Sequence, residues 1–363
     1  MLSDKFRQVD KFSYILFFLF FVAFSALFSL MINGLFIKFS RNLGMRNIDE
    51  NAIRWNSQTK PALGGISFFI NFLISISIFL MFSNPRNIFE NIQFLGILLS
   101  CSVGFLIGLA DDAYNTRPIL KFLAQLSCGL ILVFTGTYIE LFDSAYLNYL
   151  ITIVWVVGIM NSINMLDNMD AITTIISISI ILCAIIVLTF TGQYQTIQFY
   201  LLLGVLGALL GFLFFNWNPS KMYMGDTGSQ FLGVLLSAVA ITCFWNAPFD
   251  SISPDPFKKV LLTLIIFLIP IVDTTTVVIN RLLSGRSPFV GGKDHTTHHL
   301  SYAGFSDRQV AIIMGSISFL SCLVTFFFMN IKEWKTFHLV FFSGYVLLFF
   351  GLLFSTTRVK HKS

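Results

Sequence analysis

The chain has 363 residues, 56% of them hydrophobic and only 11% charged, with a mean hydropathy of +0.80. These values exclude a soluble globular protein and call for a polytopic membrane protein. The formal net charge of +5 does not ask for nucleic acid as a partner; in a membrane protein it is read by position, because Lys and Arg mark the cytoplasmic side.

Met1 to Lys11 carries Lys5, Arg7 and Lys11 ahead of an apolar run from Phe12 to Ile37. That run is too long for the apolar part of a secretory leader and lacks a small-residue cleavage site, so it reads as the first span. Further apolar runs follow near 63–82, 93–109, 119–139, 147–166, 171–191, 197–215, 229–246, 259–280, 309–330 and 336–356. The prediction is about eleven spans, most near the roughly 20 residues that a bilayer core requires. Cys101, Cys128, Cys183, Cys243 and Cys322 each fall in a different run and read as small core residues rather than a disulfide frame or zinc site.

An odd number of spans puts the termini on opposite sides. The loops at about 38–62, 110–118, 167–170, 216–228 and 281–308, with the C-terminal tail, hold fourteen Lys and Arg, against eight on the other side. The richer side is predicted to be cytoplasmic, with the N-terminus outside and the C-terminus inside. No soluble domain, low-complexity tract or internal repeat is visible. The expectation is one all-α polytopic membrane domain over 1–363, with its active-site loops on the cytoplasmic face.

The polar residues that carry chemistry fall in those loops. Gly108-Leu109-Ala110-Asp111-Asp112 sets two adjacent carboxylates where an apolar run ends, at the negative end of a helix macrodipole, which disfavours them. The alternative is a pair of solvated loop acids. Arg117-Pro118 then opens the next span, with Pro suited to a first turn, and Lys121 follows one turn in. Span 5 ends with Asn161, Asn164 and Asn168 on one helical face and Asp167 beside Asn164. Amide and carboxylate oxygens suit Mg²⁺; interhelical hydrogen bonding is the competing use.

In Asn216 to Ser229, Gly225 and Gly228 allow a close backbone approach to a ligand, and Asp226 stands just before a helix start, where Asp226 or Ser229 could equally be a cap. Asp273 sits two turns before Arg281 on a similar face, which reads as a structural ion pair. The loop that follows carries Arg286, Lys293, Asp294, His295, His298 and His299, imidazoles and cations able to hold a nucleotide diphosphate; a three-histidine zinc site is the rival. Ser306 and Gln309 form a capping box for span 10.

In this order, Pro61-Ala62-Leu63-Gly64-Gly65, Asp111-Asp112, Asn161 to Asp170, Met224 to Ser229, Asp273-Thr274 and the His-rich loop resemble the polyprenyl-phosphate N-acetylhexosamine-1-phosphate transferases, most nearly those that use undecaprenyl phosphate and GlcNAc-1-phosphate. The resemblance implies transfer of a sugar 1-phosphate from a UDP-sugar to undecaprenyl phosphate, releasing UMP and initiating a cell-envelope polysaccharide. It implies Mg²⁺, with Mn²⁺ as a substitute, and a bacterial cytoplasmic membrane. It also implies that Asp226 is the principal metal ligand with Asn164 as its partner, and that Asp111 and Asp112 deprotonate or orient the lipid phosphate. Lys121 would contact phosphate, Asp167 would shape the nucleotide pocket, and His298 and His299 would bind the sugar diphosphate, with Arg286 and His295 in the same loop.

Asp294 to His298 matches the Asp-His-x-x-His pattern of some members, whereas others read His-x-His-His, so the sugar and the role of each His stay open. Three consecutive His are absent, which disfavours the alternative muramoyl-pentapeptide transferase. Joining two anionic phosphates needs charge neutralisation, which Mg²⁺, Lys and His⁺ supply. A phosphate monoester is already ionised near neutral pH, so direct in-line attack is favoured over an aspartyl intermediate. From another class, an ion-coupled transporter is the rival, because intramembrane acids often mark ion pathways; such sites usually lie near the midplane. A homodimer is left open.

Overall fold

The computed structural model describes residues 11–39, 60–82, 88, 90–247, 256–287 and 291–358. Lys5, Arg7, Arg86, most of the loop at 38–62, Pro288, Phe289 and the end of the basic tail lie outside the described residues.

Among the described residues every regular element is helical. The first half contains α1 (Lys11–Phe39), α2 (Gly64–Phe82), α3 (Ile92–Tyr114), α4 (Pro118–Phe134), α5 (Ala145–Leu166) and α6 (Ile172–Phe190). The second half contains α7 (Ile197–Asn216), α8 (Gly225–Ala240) continued by a π segment (Ile241–Trp245), α9 (Pro256–Ile266), α10 (Leu268–Leu283), α11 (Thr296–Tyr302), α12 (Asp307–Met329) and α13 (Thr336–Thr356). Nine of the described helices are long and apolar enough to cross a membrane, or ten if the bent pair α9 and α10 is one span. All eleven predicted apolar runs are helical; the run forming α4 is the shortest unbroken one, at 17 residues.

Three boundaries differ from expectation for physical reasons. The run at 259–280 is not one rod: α9 and α10 meet at 84°. Pro270, in the first turn of α10, has no N–H for the Ile266 carbonyl and its ring would crowd it, so the helix breaks at Phe267. α3 runs on to Tyr114, which leaves Asp111 and Asp112 inside its last turn rather than beyond it, and Asn115 in the left-handed region ends the helix. α8 starts at Gly225, four residues before the predicted span.

α8 is the axis of the molecule. It is buried on all sides and packs on α3, α5 and α2. Lipid tails are as apolar as the helices, so close backbone approach and polar contacts hold such a bundle together. Gly108 lies against the carbonyl of Asp226, and Gly65 lies against the backbone of Gly228. A side chain at either position would drive α3 or α2 away from the start of α8. A second polar seam ties α1 to α2 and α7: Asn33 Nδ2 donates to Ser29 Oγ at 3.1 Å and Ser67 Oγ at 3.0 Å. Ser29 Oγ donates to the Ala208 carbonyl at 2.8 Å.

Candidate active site

The C-terminal turns of α3 and α5 and the N-terminal turns of α2, α4 and α8 meet at one end of the bundle. Their meeting follows from the backbone. Gly64 and Gly65 donate to the carbonyls of Tyr223 and Met224 at 3.1 and 2.9 Å, and Tyr223 donates back to Pro61 at 3.0 Å. The Pro61 to Gly65 motif is thereby laid along the approach to α8. Gly225 has φ +74°, and a side chain there would strike Asp112 and the Ala62 carbonyl. Gly225 and Gly228 therefore admit the chain's own backbone and side chains, where the sequence had suggested a ligand.

The two adjacent acids diverge as neighbouring helical positions must. Asp112 accepts from the backbone N–H groups of Asp226 and Thr227 at 3.0 and 2.8 Å, and from the Thr227 hydroxyl at 2.7 Å. Neither Asp226 nor Ser229 caps α8; an acid from α3 supplies the acceptors for its orphan N–H groups. Asp111 turns the other way. It accepts from the Thr116 N–H and hydroxyl at 2.9 and 2.6 Å and from Lys121 Nζ at 2.9 Å.

Lys121 Nζ also reaches Asp226 Oδ2 at 3.5 Å, so one ammonium stands between two carboxylates from different helices. On the far side of Asp226, Asn164 Nδ2 donates to Oδ1, and the same amide nitrogen lies 2.8 Å from Ser229 Oγ. Five predicted site residues, Asp111, Asp112, Lys121, Asn164 and Asp226, are thus in direct contact.

Asp167 lies just past α5, near the carboxylates of Asp226 and Asp112. Removal from water, then the carboxylates of Asp226, Asp112 and Asp170, push its carboxyl up to about 8. Asp170 is buried and accepts from Ser220 N and Oγ and from Asn218 Nδ2, which fixes the loop before α8. The predicted amide stripe fans out: Asn161 pairs with Gln125 on α4, Asn164 turns to α8, and Asn168 accepts from Thr297 at 2.7 Å.

The His-rich loop is organised differently from expectation. Arg281 does not pair with Asp273; its guanidinium forks onto Asp294 at 2.8 and 2.7 Å. Burial works to raise the Asp294 carboxyl, but the hydrogen bonds and charge of Arg281 hold it below the usual range. Asp273 instead faces His295 and Thr296. His298 is buried on α11, where desolvation, then the His295 ring, pull it down to about 3. The expected His⁺ is therefore not His298, which is neutral at physiological pH. His299 stacks edge-on against Tyr302 at 5.7 Å, and Arg286 is exposed just beyond α10. Among the described residues no three or more His, Cys, Asp or Glu side chains are grouped to hold a metal ion, so the three-histidine zinc site does not form.

Sequence reading missed Thr116, Thr227 and Ser220 as partners of Asp111, Asp112 and Asp170. Ser220 and Thr227 lay inside the stretch from Asn216 to Ser229 already singled out; Thr116 carries no periodicity or spacing that distinguishes it.

Residues 94–244 match the model of glycosyl transferase family 4, a stretch that includes Asp111 through Asp226. The chain is 26% identical over 290 residues to a probable undecaprenyl-phosphate N-acetylglucosaminyl 1-phosphate transferase of Bacillus subtilis, covering 77% of this chain and 76% of that protein. It is 25% identical over 300 residues to the decaprenyl-phosphate N-acetylglucosaminephosphotransferase of Mycolicibacterium smegmatis, covering 74% and 73%. A phospho-N-acetylmuramoyl-pentapeptide-transferase of Carboxydothermus hydrogenoformans is 25% identical over 296 residues, covering 73% of this chain and 83% of that protein.

Proposed function

We propose, from the premise that the chain belongs to the polyprenyl-phosphate N-acetylhexosamine-1-phosphate transferase superfamily, that it moves GlcNAc-1-phosphate from UDP-GlcNAc to undecaprenyl phosphate and releases UMP. The observation that carries this reading is Lys121 held between Asp111 and Asp226 at one end of a membrane bundle. Two carboxylates against one ammonium leave a surplus negative charge.

That surplus fits a divalent cation. Mg²⁺ is usually held by one or two carboxylates and completed by substrate phosphates, and the donor set here has that form: Asp226 as ligand, with Asn164 fixing the orientation of its carboxylate through Oδ1. The partner role implied for Asn164 is accordingly one of orientation. When bound, the ion neutralises the charge of the joined phosphates.

Lys121 has three ammonium donors, two of which are directed at carboxylates, and the third serves an incoming phosphate. Asp111 is locked by Thr116 and sets the direction of that ammonium. Asp112 acts through α8, presenting Asp226 at the helix start. An oxygen of the lipid phosphate attacks the β-phosphorus of the nucleotide sugar; the new P–O bond forms as the β-phosphorus to bridging-oxygen bond breaks, and the pair of electrons leaves with UMP. No proton has to be removed from an ionised phosphate, so no side chain is needed as an obligatory base. Asp167 lines the nucleotide side.

The proposed setting is a bacterial cytoplasmic membrane with this end of the bundle facing the cytoplasm and the N-terminus outside. Purified protein given undecaprenyl phosphate, Mg²⁺ and UDP-GlcNAc should release UMP, should stop on chelation and should recover with Mg²⁺ or Mn²⁺. A panel including other UDP-N-acetylhexosamines and UDP-N-acetylmuramoyl-pentapeptide identifies the donor. Absence of UMP from all of them would refute the transferase reading.

A further inference from the structure

Asp273 lies outside the cluster around Asp226, yet it is only 1% exposed on α10. A carboxylate buried in a membrane bundle is costly unless it has a dedicated partner. Its Oδ2 lies 2.8 Å from Nδ1 of His295, and its Oδ1 accepts from the backbone N–H and hydroxyl of Thr296 at 2.8 and 2.6 Å. All three partners come from the loop, none from the helix that carries the acid.

The charged and titratable groups around His295 leave Asp273 as its hydrogen-bonding counterpart. Asp294, its chain neighbour, is held by Arg281, and His298 meets the His295 ring edge-on at 5.3 Å. An ionised carboxylate has no proton to give, so Nδ1 of His295 must carry one, and Nε2 is the nitrogen left for another group. The hydroxyl of Thr297 ties the same turn to Asn168, next to Asp167 in the chain. With Asp167 lining the nucleotide side, as the transferase reading has it, the loop belongs to that side.

We infer that Asp273 is a positioning residue, which fixes the orientation and the protonated nitrogen of His295 so that Nε2 faces the nucleotide-sugar donor. This rests on the transferase reading for the identity of the ligand, but not for the geometry. A merely structural acid would stabilise the fold without acting through His295.

Two measurements separate these roles. In wild-type protein selectively labelled with ¹⁵N-histidine, with the His295→Gln variant assigning the signal, Nδ1 of His295 should be protonated; an unprotonated Nδ1 overturns the inference. In a double-mutant cycle, Asp273→Asn and His295→Gln should each lower kcat/KM for the nucleotide sugar about 30-fold, with KM for the polyprenyl phosphate within about threefold of wild type. The double variant should be no more than about threefold below His295→Gln alone. Losses that multiply overturn the inference while leaving the transferase reading intact. If Asp273→Asn does not fold, His295→Gln with an unchanged donor KM overturns it. A wild-type protein inactive with every UDP-sugar would sink the functional reading, and the labelled spectrum would still decide the Asp273–His295 geometry.

Discussion

Asp226 and Asp112 are both acids at the start of α8, but their surroundings assign them different work. Asp226 is flanked by Lys121 and Asn164 and has an edge open to a ligand, being only partly buried. Asp226→Asn keeps the shape and removes the charge, so turnover should fall by at least about 100-fold while thermal stability in detergent changes little. Paired UMP-release and melting measurements check this, and near-normal turnover would place the metal elsewhere. Asp112 spends its oxygens on three donors of α8. Asp112→Ala should lower stability by about 2 kcal/mol, the scale of lost charged hydrogen bonds at a helix start, and should lower activity with it. A variant with wild-type melting would remove the capping role. The sequence separated Asp226 from the pair Asp111 and Asp112 but could not divide the labour within that pair, because the division depends on the 100° step along α3 and on where α8 begins.

Two further residues make opposite contributions to pH dependence. His298 is pulled down to about 3 from an ordinary 6.5, so the unfolded chain binds a proton that the folded chain refuses. Its contribution to stability is lost as pH falls below about 6.5, at about 1.4 kcal/mol per pH unit until about 3. Asp167 is pushed up to about 8 from 3.8, so the folded chain holds a proton that the unfolded chain releases, and stability is lost as pH rises through that window. In metal-free buffer the two slopes oppose each other between about pH 4 and 6.5. His298→Gln should expose the loss toward alkaline pH, and Asp167→Asn the loss toward acid. Melting curves across pH for the three proteins decide it; superimposable profiles would contradict both assignments.

At the scale of elements, hydrophobic runs located all nine or ten described helices able to span and counted the shorter α4 as one more, because a bilayer leaves few ways to satisfy a backbone. They did not locate the helix ends that build the site. The last turn of α3 holds two acids and the first turn of α8 holds a third, so composition places those turns in loops although both are helical. The 84° bend between α9 and α10 was legible only in Pro270, which a hydropathy run passes over. Asp273 and Arg281 were read as each other's partner, and that pairing does not form. The partners come from a loop whose path no spacing on α10 reveals. Gly108 is the clearest case of an element-scale constraint, since it brings α3 onto the Asp226 carbonyl. Gly108→Ala should push the helices apart, cost about 1–3 kcal/mol from overpacking and weaken activity through both Asp111 and Asp112. A variant with unchanged melting and turnover would show that the contact relaxes freely.

For the molecule as a whole, Asp111, Asp112 and Asp226 meet at one end of the bundle, a position that separates an enzyme working on headgroups from a transporter with a midplane site. The proposal that this end faces the cytoplasm rests on charge. The loops joining the site-bearing ends carry most of the Lys and Arg, and that bias predicts the cytoplasm. The opposite end holds Tyr146, 85% exposed at the start of α5, whereas Tyr114, 84% exposed, closes α3 beside the site. All five native cysteines are buried, so a thiol introduced at either position will dominate labelling. In right-side-out vesicles a membrane-impermeant maleimide should modify Tyr146→Cys at once and Tyr114→Cys only after the membrane is opened. The reverse pattern would put the site on the outer face, where nucleotide sugars are scarce, and the assignment of the donor would have to be abandoned along with the orientation.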